Sequence, residues 1–478
     1  GMVLFPITSP SLFTYTYNYT KILLHQYPCL LIKSTKKKKN ITYIILFSLF
    51  AFFTFAIIKF RKEDSLELGL KLRQGESASS AEWLNSKNAI ESLIEVVRKK
   101  PGNNEAKVKL AFAYIQESRA SGNHAYYDAK AADLLNSVLK NDTANYEALI
   151  GKATVLLSQH HFDEAIPVAL SAQKVNPYSA AVYGILTDAF VENGDYEKAI
   201  TMADKMASLR PDIRSYSRIS YLREIHGDYP GAIEAMKLAV SAGYPGMEQT
   251  EWCRMQLGHI YEQTGNLKMA EELYSEAIYF RPAFAQAYAA LARIDKTKKN
   301  YPEAISNISK ALSMNEDFAF QQELTEVYRI SNQPELASAS AQKVIVLLAG
   351  MEGDESEEAH GHYADKELAI AYLDAYDYNS ALKHALIEYN RRPDNIDVEQ
   401  TLAWVYYKLG NYNKANEYIS QAMRTKSQNP VLLFQAGLIK KKAGHFSTGK
   451  QLIEQAMQIN PNISQLLQWE MKPMLATK

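Results

Sequence analysis

Ten small residues of this chain, Ala131, Ala165, Ala199, Ala232, Ala270, Ala304, Ala337, Ala381, Ala415 and Gly449, recur at intervals of 34, 34, 33, 38, 34, 33, 44, 34 and 34 residues. Each opens the second of two segments whose apolar residues have helical spacing. Five of them are followed twelve positions later by a proline, namely Pro177, Pro211, Pro282, Pro393 and Pro461. A helix must stop there, because proline lacks an amide donor and disfavours helical geometry in the residue before it. A hairpin of two such helices cannot bury its own apolar stripe, so the units must stack on one another. The chain is then one long core, although its 478 residues would otherwise suggest about three domains.

The clearest copy is AVYGILTDAFVENGDYEKAITMADKMASLRP, from Ala181 to Pro211. Tyr183, Leu186 and Phe190 share a face of the first helix, Asn193-Gly194-Asp195 forms the turn, and Tyr196, Ala199, Ile200, Ala203 and Met206 recur on the second. Ala199 and Ala203 are small enough to let the two backbones approach. The runs around Gly258, Ala292 and Ala403 read the same way. These copies resemble the tetratricopeptide repeat family over roughly 100 to 461. The resemblance implies an all-α fold, a right-handed superhelical α-solenoid of about ten helix hairpins.

The expected organisation is an unassigned segment at 1–40, an apolar segment at 41–58, a linker with a degenerate first repeat at 59–103, the solenoid at 104–461, and a capping helix and tail at 462–478. In the degenerate repeat, Ala89, Leu93, Val96 and Pro101 fit a second helix, whose partner helix would be Leu66 to Gln74. Three intervals are long. The excess before Ala131 is expected in a loop around Ser118 to Tyr127, and four residues are added near AGYPGMEQT. About ten more form GMEGDESEEAHGH, a polar, acidic insertion near 350–362 that reads as a solvated loop. At the other end, Ser464 to Met471 is expected to be a short helix that shields Ala456 and its neighbours.

The segment ITYIILFSLFAFFTFAII, 41–58, has eighteen uncharged residues without proline or glycine, just enough to span a bilayer core. Lys36 to Lys39 precede it, and Lys59, Arg61 and Lys62 follow. It reads as an uncleaved anchor, with a cleaved export signal or a buried segment as alternatives. Flanking positive charge is balanced, but the tight lysine cluster favours an inside N-terminus. The expected location is therefore a single-pass membrane protein with its repeats on the periplasmic side. Gly1 before Met2 reads as a cloning remnant.

No motif for catalysis stands out: there is no glycine-rich phosphate loop, nucleophile elbow or HExxH. No enzyme activity, cofactor or small-molecule substrate is expected. His160 and His161 fall at a turn and read as solvated. Glu357, Glu358, His360 and His362 are the one ligand-like cluster, but no partner group elsewhere completes a metal site, so none is assigned. Cys29 and Cys253 do not suggest a bridge, and Cys253 reads as a small core residue. The 53 basic and 53 acidic residues cancel, so no global field draws the chain to nucleic acid.

Function is therefore expected on the inner surface. The resemblance implies that the first helix of each repeat lines a concave groove, presenting Arg214, Tyr221, Glu224, Trp252, His259, Glu262, Arg293, Glu326, Arg329, Trp404 and Tyr407. Aromatics beside arginines suit peptide anchoring. The lysine and asparagine with which some relatives grip chaperone carboxylates are missing, which demotes a co-chaperone role. The run YLREIHGDYPGAIEAMKLAVSAGYPGMEQTEWCRMQLG resembles multi-repeat bacterial proteins. The expected function is a non-enzymatic scaffold that binds a protein or peptide partner in the groove and is tethered to the membrane through 41–58. The alternatives are an accessory module of an envelope or secretion enzyme system with a metal-binding acidic loop, and a soluble cytoplasmic adaptor.

Overall fold

The computed structural model describes Leu66, residues 68–73, 75–351 and 361–471, together with Phe47 and Phe50. The chain divides into two units, Gly1–Ser65 and Leu66–Lys478, and the repeats belong to the second. Its first α-helix is α1 (Ala81–Lys99), preceded by a short 3-10 turn at Gly75–Ser79. Ten hairpins follow. They are α2/α3 (Asn104–Ser121, His124–Leu139), α4/α5 (Tyr146–Ser158, Phe162–Val175), α6/α7 (Ala180–Glu192, Tyr196–Leu209), α8/α9 (Ile213–Ile225, Tyr229–Ser241) and α10/α11 (Glu248–Gln263, Leu267–Phe280), then α12/α13 (Ala285–Thr297, Tyr301–Met314), α14/α15 (Phe318–Ile330, Pro334–Ala349), α16/α17 (Asp365–Asp374, Tyr378–Arg391), α18/α19 (Ile396–Lys408, Tyr412–Ala422) and α20/α21 (Pro430–Lys442, Phe446–Ile459). A final half-hairpin, α22 (Gln465–Glu470), ends the stack. Among the described residues there is no strand.

The ten periodic small residues all lie on the second helix of a hairpin, and none of the alanines is more than 4% exposed. Each sits where the two backbones cross. At the tenth hairpin even a methyl group would not fit, since a Cβ on Gly449 would come 2.6 Å from the carbonyl oxygen of Gly437. Ala304→Leu, which forces a large side chain into the α12/α13 crossing, is expected to lower stability by about 1–3 kcal/mol. Ala339→Leu on the exposed face of α15 is the control and should stay within about 0.5 kcal/mol in urea unfolding.

The hairpin turns share one backbone solution. The residue two places before each second helix has positive φ, as glycine at Gly122, Gly194, Gly227, Gly265, Gly410 and Gly444, and as His160, Lys299, Asn332 and Tyr376 elsewhere. The next residue caps the second helix in several copies; the Asp195 carboxylate, for example, accepts from the amide of Lys198 at 3.2 Å.

The turns also set the larger geometry, because they touch parts of the chain about 200 residues away. Arg281 pairs with Glu82 at 2.9 Å, His161 Nε2 lies 2.7 Å from the Gly361 carbonyl, and Arg392 pairs with Glu192 at 2.6 Å. Tyr196 OH accepts from the amide of Ile396 at 3.0 Å, and Asn460 Nδ2 donates to the Glu262 carbonyl at 3.1 Å. Separations of 198 to 200 residues mean that about six repeats complete one superhelical turn. Successive turns rest directly on each other. Gly194 lies in this seam, where a Cβ would overlap the backbone carbonyl of Asp394.

Several expectations need correction. Residues 66 and 68–73 form no helix: Leu66, Leu68 and Leu70 alternate, and all three pack on the first core cluster. A period of two belongs to an extended chain. Its backbone is held by Tyr114 OH donating to Gly69 O at 2.8 Å and by Tyr127 OH, which donates to Lys71 O at 2.9 Å. The excess before Ala131 is not a loop, since α2 and α3 lengthen to 18 and 16 residues and leave two residues between them. The single-pass membrane location also does not stand: among the described residues no helix is long and apolar enough to cross a membrane. The longest, α1, has 19 residues and carries Glu82, Arg98 and Lys99, whereas a span needs roughly 20 mostly apolar residues. The segment 41–58 itself lies outside the described residues apart from Phe47 and Phe50, as does 352–360 of the acidic insertion.

Candidate functional site

The first helices of the hairpins line the inner wall. On α10, Met255, Gln256 and His259 fall on one face, and they border a cavity of about 570 Å³ with Ala289 and Arg293 of α12, Phe320, Glu323 and Glu326 of α14, and Ile370 and Asp374 of α16. Leu466 of α22 closes it on the side of the next superhelical turn. The cavity is thus lined by apolar and charged side chains together, as ligand-accepting concavities usually are.

The wall charges are matched between neighbouring repeats. Arg218 of α8 meets Asp188 of α6 at 2.8 Å, and Arg293 of α12 meets Glu262 of α10 at 3.1 Å. Lys296 of α12 sits between Glu323 and Glu326 of α14 at 2.8 and 2.7 Å, and Arg329 reaches Asp374 of α16 at 3.2 Å. Burial works against the charge on Glu262, but Arg293 outweighs it and holds the carboxyl well below the usual range. Burial likewise works against Lys296, and its two carboxylates push the ammonium up. These pairs form a ladder that fixes the spacing of the inner helices. The charged groups of this ladder are thus already neutralised.

A second cavity, of about 260 Å³, lies between the two superhelical turns and is bordered by Tyr221 and Glu224 of α8, His259 and Gln263 of α10, and Asp397 and Gln400 of α18. No lysine or arginine lines it. Burial pushes the Glu224 carboxyl up, and burial with the nearby Asp397, Glu192 and Glu224 carboxylates pushes the Tyr221 phenol up. His259 borders both cavities; its Nε2 is 2.7 Å from Gln263 Nε2, and its Nδ1 has no hydrogen-bond partner.

Of the eleven residues expected to face a partner, His259, Arg293 and Glu326 border the larger cavity, and Tyr221, Glu224 and again His259 the smaller. Glu262 and Arg329 belong to the charge ladder. Arg214 is exposed, and Trp252 is 37% exposed on the face of α10 that carries Met255 and His259. Trp404 stacks on Tyr407 at 4.6 Å, while Tyr407 is only 6% exposed in the core of the last repeats and is therefore packed rather than presented. Gln256, Phe320, Ile370 and Leu466 were not singled out in the sequence. The first three sit on first-helix faces like their neighbours, and periodicity could have found them; nothing local marks Leu466.

The histidines expected in solvated turns are instead inside the seam, which corrects that reading. His161 is 5% exposed and stacks on Tyr363 at 3.9 Å. The His160 and His362 rings are 4.1 Å apart, with His160 Nδ1 3.0 Å from Tyr363 O and His362 Nδ1 3.1 Å from Ser158 O. Glu357, Glu358 and His360 lie outside the described residues, and among the described residues no metal-binding cluster occurs. Cys253 is a buried free thiol on α10, which burial pushes up to about 12.

Helix hairpins stacked one on the next about an inner wall define an α-solenoid. A family model described as the tetratricopeptide repeat matches residues 253–284, 285–318 and 400–429, and a second model of the same description matches 150–212. The chain thus carries tetratricopeptide repeats over these residues. Similar solved structures include a human IFIT1 dimer with PPP-AAAA, 17% identical over 71% of this chain and 78% of that one, with a TM-score of 0.45. A tetratricopeptide repeat protein from Parabacteroides merdae is 14% identical over 53% and 94%, with a TM-score of 0.38. PilF from Pseudomonas aeruginosa is 15% identical over 44% and 94%, with a TM-score of 0.35. These likenesses concern the fold alone.

Proposed function

We propose that this protein is a non-enzymatic scaffold that holds a segment of a protein partner in the lumen of its superhelix. The observation that carries the reading is the cavity of about 570 Å³ on the first-helix wall, whose lining combines Met255, Phe320 and Ile370 with His259 and Glu326. Apolar side chains set among polar ones are what partner-binding surfaces use. The ladder of ion pairs supports the same reading, because it keeps the wall rigid before anything binds, and a pre-organised site avoids the ordering cost of association.

The reading is tested by placing a photoreactive amino acid at Met255 or Gln256 in living cells and identifying what is captured by mass spectrometry. A recurrent protein that is captured there, is absent with the photoreactive group at exposed Ala339, and is lost on Phe320→Asp is the expected result. Capture indistinguishable from the Ala339 control would overturn it.

A further inference from the structure

One segment of the chain already lies against this lumen. The α22 helix follows the last repeat and reaches the wall of the preceding superhelical turn. Ser464, its N-cap, donates to Glu326 at 2.7 Å and accepts from the amide of Leu466. Leu466 borders the larger cavity, Leu467 and Met471 pack on the core of the last repeats, and Glu470 pairs with Lys408. Tyr301 OH donates to Gln465 at 3.4 Å. The segment is thus held by a hydroxyl contact to α14, an amide contact to α13, a carboxylate contact to α18 and apolar packing on the last repeats.

Two features make α22 the least anchored helix of the solenoid. Every other α-helix of the solenoid has at least three buried residues, whereas those of α22 are all half-buried. With six residues it is also too short to hold its shape without the contacts it makes. Leu466 lines the cavity of about 570 Å³, so there is room beside it for a larger apolar side chain to cover more of the wall. A resident segment that is half-buried beside an open cavity is one that a better-covering segment displaces.

We propose that the seat under α22 is a docking site for a short amphipathic helix of the same chemistry, with a hydroxyl N-cap, a bulky apolar residue two positions later and a carboxylate six positions after the cap, and that residues 464–471 occupy it in cis until such a partner displaces them. The proposal rests on the scaffold reading for the partner, but not for the seat itself.

The test uses a fluorescein-labelled peptide of residues 462–478, added to the full-length protein and read by fluorescence anisotropy. Wild-type chain, whose seat is filled in cis, should bind it at least tenfold more weakly than Leu466→Asp/Leu467→Asp chain, whose own segment is ejected. A peptide carrying Leu466→Phe, which reaches further into the cavity, should bind the ejected chain severalfold more tightly than the native peptide. Adding Glu326→Ala to the ejected chain should weaken binding. Circular dichroism checks that the variant is folded; if it is not, Ser464→Ala/Glu470→Ala, which removes only the two polar contacts, should still raise peptide affinity over wild type. Equal affinity for wild-type and ejected chains, or weaker binding of the Phe peptide, overturns the proposal. Because no cellular partner is involved, peptide binding without any crosslinked partner would sink the scaffold reading alone, and the reverse outcome would sink only the seat.

Discussion

Arg392→Ala is expected to loosen the contact between successive superhelical turns and to lower stability by about 3 kcal/mol. Arg392 is 4% exposed, pairs with Glu388 of the same hairpin and with Glu192 from the turn below at 2.6 Å, and lies over the Phe162 ring at 4.7 Å. Removing the guanidinium leaves Glu388 buried with Arg391 as its remaining cation, and strips Glu192 of its partner across the seam. The cost falls mainly on Glu388, which is 2% exposed and keeps one cation instead of two, so its desolvation is less fully compensated. Two measurements check this. The urea midpoint should fall, and small-angle scattering should show a larger radius of gyration once the turns separate. Arg214→Ala, at an exposed position, should change neither. Unchanged scattering in Arg392→Ala would mean that other contacts hold the turns together.

The same seam predicts acid sensitivity. Burial above all brings the pKa of His160 down to about 4, with Glu367 opposing it and Lys366 and Arg392 adding to it. His362 is likewise lowered to about 4 by burial, with His160 and His124 adding to the effect and Glu367 again opposing. An unfolded histidine takes up a proton near pH 6.5. Between that pH and about 4 the unfolded chain binds protons that the folded seam refuses, so acid favours unfolding. The stabilising effect of the neutral pair is complete above pH 6.5 and is lost as the pH falls towards 4, by on the order of 2 kcal/mol per histidine. Urea unfolding at stepwise pH from 7 to 4 measures it. His160→Gln/His362→Gln should flatten the slope in that window, and a slope equal to wild type would assign the acid loss to carboxylates elsewhere.

Much of the wall was legible in advance because its residues obey a local rule. His259, Arg293 and Glu326 fall at repeat positions that face inward, and they border the cavity. Whether such a residue is available to a partner was not legible. Arg293 reads as a free anchor in the sequence, yet Glu262, 31 residues away on the next inner helix, neutralises it. Trp404 and Tyr407 read as exposed aromatics, yet they stack on each other near the end of the solenoid. Leu66 to Gln74 was misread as a helix because the repeat pattern calls for one there; the alternation of three leucines was the better signal.

The sequence by itself determined the hairpin repeat: which residue is small at each crossing, where several second helices stop at a proline, and that the units must stack. Those features depend on neighbours within about 34 residues, and hydrophobic period, caps and prolines report on that range. Only the tertiary structure decided that the turns of the superhelix close on each other after about 200 residues, drawing His160, His161 and His362 into the seam and bringing α22 against the lumen. The reason is cumulative. Superhelical pitch is the sum of small rotations over six repeats, and no single interface encodes it.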